Sequence, residues 1–107
     1  MDTTLYWWAA RPPTRDYTVF VQILADGKLV AQTDSPPRDG KYPTSLWQAG
    51  EVVADVRSLS LRGLRPGRYR LVVGMCTPQD VRRLQVTSSA GETVGDFVEL
   101  PTVEIGP

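Results

Sequence analysis

The segment that decides the fold runs from Asp16 to Thr33 and reads DYTVFVQILADGKLVAQT. Its first part, Asp16 to Ala25, alternates apolar residues on one face and carries further apolar residues on the other, as a strand inside a sheet does. Asp26-Gly27 follows directly, and Lys28 to Thr33 alternates again. Because a type I′ turn needs positive φ at both central positions, Asp-Gly between two such runs predicts a β-hairpin.

Five further runs have the same alternation. They span Thr3 to Ala9, Glu51 to Leu61, Arg68 to Met75, Val81 to Thr87 and Asp96 to Ile105. Together with the hairpin they give seven short strands at intervals of about ten residues, with turn signals between them and no convincing helix. The sequence therefore predicts an all-β fold. We expect a single antiparallel β-sandwich over residues 1–107, immunoglobulin-like or fibronectin III-like, cut from a longer protein.

The first run, Thr3 to Ala9, is rich in aromatic residues. If it is extended, Leu5 and Trp7 share one face and Tyr6 and Trp8 share the other. Because adjacent residues on a strand face opposite ways, one of the two tryptophans is expected in the core and the other exposed or at an interface.

The apolar residues of Glu51 to Leu61 change face part-way. Positions 52, 54 and 56 share one face, whereas positions 59 and 61 lie on the other, which predicts a β-bulge near Arg57-Ser58. Asp55 then faces water. If the bulge instead precedes Asp55, this carboxylate points inward and needs a partner such as Arg57 or Arg70.

The composition excludes several classes of function. Twelve basic residues balance twelve acidic ones, so nothing indicates binding to nucleic acid. No histidine is present, which excludes Ser-His-Asp and Cys-His catalytic systems within this chain. Cys76 is the single cysteine and is expected to be an inert buried thiol. No run of about 18 apolar residues predicts a membrane span, and we expect no catalytic residue, metal or cofactor.

The longest irregular segment, Asp34 to Glu51, is the first candidate for a binding site. Tyr42 and Trp47 are aromatic residues that can stack on the apolar face of a sugar ring. Asp34, Asp39 and Gln48 can hydrogen-bond sugar hydroxyls. In the alternative interpretation, Trp47 folds back to plug the end of the sandwich and Tyr42 packs beside it.

Acidic and basic residues give two further candidate sites. The acids of the long loop and the following strand are possible calcium ligands, although their spacing matches no known calcium loop and a solvated rim explains them. The arginines of one turn and strand, Arg65, Arg68 and Arg70, are candidates for binding phosphate or an anionic lipid head group. The alternative is an ordinary solvated face in which nearby acids balance the arginines.

Several short motifs carry a family resemblance. They are Asp16-Tyr17-Thr18-Val19-Phe20-Val21, Asp26-Gly27, Asp34-Ser35-Pro36-Pro37, Tyr42-Pro43-Thr44-Ser45-Leu46-Trp47, Gly50-Glu51-Val52-Val53 and Pro66-Gly67-Arg68-Tyr69. In this order the chain resembles a β-sandwich domain at the C-terminal end of some bacterial multi-spanning membrane proteins. Those proteins are similar to the dolichyl-phosphate-mannose protein mannosyltransferase family. Gln22 and Met75-Cys76-Thr77 depart from the pattern, where a histidine and a Tyr-Asp pair are expected.

The resemblance implies a non-catalytic, extracytoplasmic accessory domain. Its partners would be the membrane portion of the parent protein, a glycan or an acceptor protein, and the catalytic unit would lie in the membrane portion. A second hypothesis is a carbohydrate-binding module in which Tyr42, Trp47 and one of Trp7 or Trp8 form the stacking platform.

Overall fold

The computed structural model describes residues 1–88 and 90–106, and 51% of the chain is β-strand. Two 3₁₀ turns, Pro37–Gly40 and Thr44–Leu46, interrupt the longest loop, and no α-helix occurs in these ranges. The strands are β1 (Asp2–Trp8), β2 (Thr18–Ala25), β3 (Lys28–Ser35), β4 (Val52–Ser58), β5 (Gly67–Cys76), β6 (Val86–Thr87), β7 (Thr93–Gly95) and β8 (Val98–Ile105).

The strands form two antiparallel sheets and a small hairpin. One sheet contains β1 and β4, the other has the order β3-β2-β5-β8, and β6 pairs with β7. The sheets pack against each other, which confirms the predicted all-β sandwich. The order corresponds to strands B-E and C′-C-F-G of the immunoglobulin type. In that comparison, no described residue takes the place of strand A, beside β1.

Tyr69, near the start of β5, supports the assignment of β5 as strand F. Its hydroxyl donates a hydrogen bond of 2.6 Å to the backbone oxygen of Arg65, four residues upstream. The same hydrogen bond, the tyrosine corner, fixes the loop that leads into strand F of immunoglobulin-like domains. The ring of Tyr69 is meanwhile part of the core between the sheets.

The Asp26-Gly27 hairpin is confirmed. Both residues have positive φ, at 51° and 76°, and Ala25 pairs with Lys28 across the turn. Further along, the register of β2 and β3 shifts, so that Val30 has no partner on β2. In the strand order β2 has neighbours on both sides and β3 is at the edge, so the turn joins an inner strand to an edge strand.

The core lies between the sheets and is built from alternating residues of β1, β2 and β5. The alternation predicted for Arg68 to Met75 is confirmed, since its inward residues are buried. The fully packed members of this core are Leu5, Val19, Val21, Ile23, Leu59, Tyr69, Leu71 and Val73.

The bulge predicted near Arg57-Ser58 is wrong. The pairing of β4 with β1 runs without a register shift from Val52 to Ser58. Its inward residues are Val53, Asp55 and Arg57, in phase with Leu59, while the apolar residues at 52, 54 and 56 face outward. The sequence misled because two charged residues occupy the inward positions, and these satisfy each other.

The strand predicted over Val81 to Thr87 is also wrong for most of its length. Only Val86–Thr87 forms a strand, β6, and Val81 is exposed with a positive φ of 54°. Arg83 makes a single bridge to Cys76 at the end of β5. The residues around Arg83 instead lie over the outer face of the larger sheet, at Phe20.

Residues of the segments 77–88 and 90–97 cover an apolar area on that outer face. The guanidinium carbon of Arg83 lies 4.3 Å from the centre of the Phe20 ring, and Arg83 is paired with Asp96 at 3.4 Å. Gly74 lies beneath the ring, where a Cβ atom would come within 2.4 Å of Phe20. Cys76 is buried on the same face, and burial raises the pKa of its thiol. The buried position expected for Cys76 is confirmed.

Candidate functional site

The long loop is anchored at several points. Trp47, with 4 % of its surface exposed, packs against Ala9 and Val53, and its indole N–H donates to the backbone oxygen of Tyr42 at 3.0 Å. The buried Thr44 hydroxyl donates to the Arg15 backbone oxygen at 2.7 Å and accepts from the backbone N–H of Tyr17 at 3.1 Å. Trp47 thus plugs the sandwich, as the alternative interpretation expected, and its ring faces are not free to stack on a sugar.

Tyr42 is half-buried beside Trp47 and is engaged with an acid. Its hydroxyl lies 2.8 Å from both carboxylate oxygens of Glu51, and the backbone N–H of Gln48 donates to one of them at 2.9 Å. The hydrogen bond from Gln48, followed by that from Tyr42, lowers the pKa of Glu51. The contact with Glu51 raises the pKa of Tyr42. These contacts close the second half of the loop on itself.

The structure does not bring the five proposed sugar-binding residues together. Asp34 lies on β3 opposite Phe20, on the outer face of the larger sheet, whereas Trp47 and Tyr42 belong to the cluster around Val53. Asp39 is exposed in the first 3₁₀ turn, and no hydrogen bond of the described residues joins it to Tyr42. Gln48 contributes its backbone to Glu51.

The Tyr42–Glu51 contact is expected to depend on pH in two directions. Because the folded state lowers the pKa of Glu51, its contribution is complete above the unfolded pKa and is lost as the pH falls through the folded one. Because the folded state raises the pKa of Tyr42, its contribution is lost when the pH rises through that higher value. The amide shift of Gln48, followed by NMR against pH, should show both steps. Glu51→Gln should abolish the acidic step, and an acidic step that persists in this variant would contradict the assignment.

The proposed anion site is occupied by acids of the same chain. Arg68 pairs with Glu104 and Arg70 with Glu99, each at 2.8 Å across β5 and β8. The hydrogen bond with Glu99 raises the pKa of Arg70. Arg65 is exposed in the preceding turn. The arginine face is balanced by neighbouring acids, as the alternative interpretation expected.

A buried ion pair lies under the first half of the long loop. Asp55 has no exposed surface and Arg57 has 3 %, and Nη2 of Arg57 is 2.8 Å from Oδ2 of Asp55. Asp55 also accepts from the backbone N–H of Arg38 at 2.8 Å and from the indole of Trp7 at 3.4 Å. This places Asp55 inward with Arg57 as its partner, the alternative that the sequence left open, but without any bulge.

The arginine of this pair has all its donors satisfied. Nε and Nη2 bind Asp55, Nη1 binds the backbone oxygen and hydroxyl of Ser35, and Nη2 also reaches the Pro36 oxygen at 3.2 Å. Because every donor has an acceptor within the protein, the pair ties β4 to the end of β3 and offers no free donor to an anion. The Asp55–Arg57 pair therefore has a structural role.

The outer face of the β1–β4 sheet carries the largest exposed aromatic surface of the described residues. Tyr6 is 72 % and Trp8 67 % exposed, whereas Trp7 is half-buried against the core. This confirms the expectation that the two tryptophans face opposite ways. Val52 lies opposite Trp8 on β4, Val56 is also outward, and both are exposed. We call the four side chains Tyr6, Trp8, Val52 and Val56 the aromatic face.

Comparisons with known proteins add no relative. No protein-family model, no curated protein and no solved structure matches this sequence. Among residues 1–88 and 90–106, no helix has the length and hydropathy needed to cross a membrane. In the same residues, no three side chains of the metal-binding types come together.

Proposed function

We propose that this chain is a non-catalytic interaction domain that binds its partner through the aromatic face. The observation that carries the proposal is the exposure of Tyr6 and Trp8 side by side on one strand, with Val52 and Val56 beside them. Tyrosine and tryptophan are enriched in protein interfaces, and contiguous exposed apolar patches mark binding sites.

The size of the aromatic face suits docking. A buried aromatic side chain contributes about 150–250 Å² of contact area, and a standard interface needs about 800 Å² on each partner. Tyr6 and Trp8 therefore supply a large part of such an interface, and the valines of β4 extend it. Both strands belong to one sheet, which presents the four side chains on the same side.

The partner that we propose follows from the sequence resemblance. In that proposal the chain is an extracytoplasmic accessory domain of a membrane protein similar to the protein mannosyltransferases, and the aromatic face docks on the membrane portion or on an acceptor protein. The arginines and acids of β5 and β8 pair with each other on the opposite sheet. These paired charges support a role as a scaffold and not a role in acid–base catalysis.

Photocross-linking tests this proposal. A benzophenone amino acid at position 8, expressed in cells of the source organism, should cross-link to a membrane protein that mass spectrometry identifies as glycosyltransferase-like. The same group at position 62, an exposed residue of the turn before β5, is the control and should give no such product. Cross-linking from position 8 only to unrelated proteins, or not at all, would overturn the proposal.

A carbohydrate-binding role is the second candidate. Its supporting observation is that Tyr6 and Trp8 lie two residues apart on one strand, which separates the rings by about 7 Å on one face. Two aromatic rings on one face at this spacing can stack on neighbouring sugars. Binding on a glycan array that is lost in Trp8→Ala, with an unchanged melting temperature, would favour this function over the first. Equal binding in the variant, or none in either protein, would exclude it.

A further inference from the structure

The four outer strand edges of the sandwich are not protected equally. On β8, Pro101 lies at a register shift and Glu99 and Glu104 are charged. The edge strand β3 begins with the charged Lys28 and contains a residue without a partner on β2. The edge strand β4 is contacted by the 3₁₀ turn Pro37–Gly40. Charges, proline, irregular pairing and covering segments are the usual means of blocking strand addition.

The remaining edge, that of β1, has none of these protections along most of its length. From Thr3 to Ala10 the sequence reads TTLYWWAA, without charge or proline. Within the described part of the chain, β1 pairs with β4 on one side and with no strand on the other. An uncharged strand of this kind, rich in aromatic and β-branched residues, is a template for pairing with another strand.

The hydrogen-bonding groups of β1 can be assigned to its two sides. Met1 and Leu59 exchange both backbone hydrogen bonds, at 2.8 Å each, and Ala9 donates to Glu51 at 3.0 Å. Because bonded and non-bonded pairs alternate in an antiparallel ladder, the odd-numbered residues of β1 bond to β4. The N–H and C=O groups of Thr4, Tyr6 and Trp8 therefore point to the open edge, which offers up to six hydrogen bonds to an added strand.

An apolar groove runs beside this edge, between the two sheets. One cavity of about 360 Å³ is lined by Thr4, Leu5, Tyr6, Trp7, Val73, Val98 and Leu100. A second of about 260 Å³ shares Trp7, Val73 and Val98 and continues past Met75 to residues 84–86. Among the described residues, no charged side chain lines either cavity. Charge complementarity therefore requires an occupant whose inward side chains are uncharged and apolar.

We propose that an extended strand of a partner polypeptide, with apolar side chains at alternating positions, pairs with the open edge of β1 and fills this groove. Strand addition of this kind draws affinity from main-chain hydrogen bonds and specificity from pockets that receive every second side chain. The added strand takes the place that strand A has in an immunoglobulin-type sandwich. This site shares Tyr6 with the aromatic face, but it is formed by the backbone edge of β1 and by Val73, Val98 and Leu100, which lie outside that face. The inference therefore goes beyond the proposed function and is tested by variants in the groove.

A second copy of this chain fits the site less well. In an antiparallel β1–β1 pair, Leu5 and Trp7 of the second copy remain committed to their own core, so they cannot enter the groove. The side chains of the aromatic face project from the face of the sheet and not from its edge, so a contact between two β1 edges leaves them exposed. Edge pairing alone then falls short of the roughly 800 Å² per partner of a standard interface.

A synthetic peptide tests the proposal, with the sequence Lys-Thr-Val-Thr-Leu-Thr-Val-Lys as the probe. On addition of this peptide to the chain, hydrogen–deuterium exchange followed by NMR should show new protection at the amides of Thr4, Tyr6 and Trp8. The amides of Thr3, Leu5 and Trp7 already bond to β4 and serve as internal controls. A second peptide with proline in place of the threonine that precedes the leucine should give no protection. In an antiparallel pair the threonines lie opposite Thr4, Tyr6 and Trp8 and carry the N–H groups that face β1, and proline removes that donor.

Two variants of the chain locate the binding. Val98→Lys places a charge in the groove and should weaken peptide binding at least tenfold. Val56→Lys places the same charge on the aromatic face and should change binding less than twofold. The proposal would be overturned if millimolar peptide gave no protection, or if the Val98→Lys variant bound the peptide as tightly as the unchanged chain. It would also be overturned if the same amides became protected without peptide while the chain doubled in mass, since the edge would then be paired with a second copy.

Discussion

Asp55→Ala is expected to lower the free energy of unfolding by about 3–5 kcal/mol, because it leaves the guanidinium of Arg57 buried without a counterion. Asp55 is fully buried and accepts hydrogen bonds from Arg57, from the Arg38 backbone and from Trp7. Domains of this size have total stabilities of about 5–15 kcal/mol. Urea denaturation followed by tryptophan fluorescence, with an unchanged m-value, measures the loss.

An exposed ion pair with the same distance provides the matched control. Arg70 and Glu99 are also 2.8 Å apart, but both are nearly half exposed. Glu99→Ala should therefore cost at most about 1 kcal/mol, since water solvates the arginine that remains. If both variants lost the same free energy, burial would not be what makes the Asp55–Arg57 pair important.

Trp47→Ala should destabilise the domain by about 3–5 kcal/mol, the cost of removing a large side chain from a packed site. The indole fills the space next to Ala9 and Val53 and donates to the Tyr42 oxygen. Its loss leaves a cavity and an unpaired carbonyl at the end of the sandwich. Thermal and urea unfolding of the variant measure the effect.

Trp8→Ala is the control for the same residue type in a different environment. Trp8 is largely exposed, so its removal should change the stability by no more than about 0.5 kcal/mol. Similar stabilities of the Trp47 and Trp8 variants would show that the loop tryptophan does not belong to the core, and would restore it as a candidate for ligand stacking.

Local patterns in the sequence predicted much of the fold. Asp26-Gly27 determines a turn through the φ angles that it permits, and the clean alternation of β5 places Tyr69, Leu71 and Val73 in the core. The class of fold follows from such short-range signals. Strand order does not, because which strands become neighbours depends on pairing between distant residues.

The errors arose where burial did not follow hydrophobicity. In β4, the valines at 52 and 56 face outward and the charged Asp55 and Arg57 face inward, so the apolar pattern predicted the wrong face. The signal for this inward pair was one acidic and one basic residue two positions apart, on the same face of the strand, where each can neutralise the other. Around Val81, the apolar residues predicted a strand, but that segment instead covers Phe20 on the outer face of the larger sheet.

The candidate site was predicted less well than the fold. Sequence reasoning chose the aromatic residues of the loop, but the loop uses Trp47 to close the sandwich and Tyr42 to hold Glu51. Tyr6 and Trp8 were recognised as sharing a face. That this face stays uncovered could be learned only from the positions of all the other strands. The association with a membrane glycosyltransferase stays a prediction.

The position of Cys76 gives the chain a built-in reporter. It is the single thiol, it is buried at the end of β5 where it bridges to Arg83, and the burial raises its pKa. An alkylating reagent reaches a buried sulfur only when the structure around it opens locally. The rate at which Cys76 is alkylated under native conditions therefore reports how often this part of the domain opens, and no cysteine needs to be introduced.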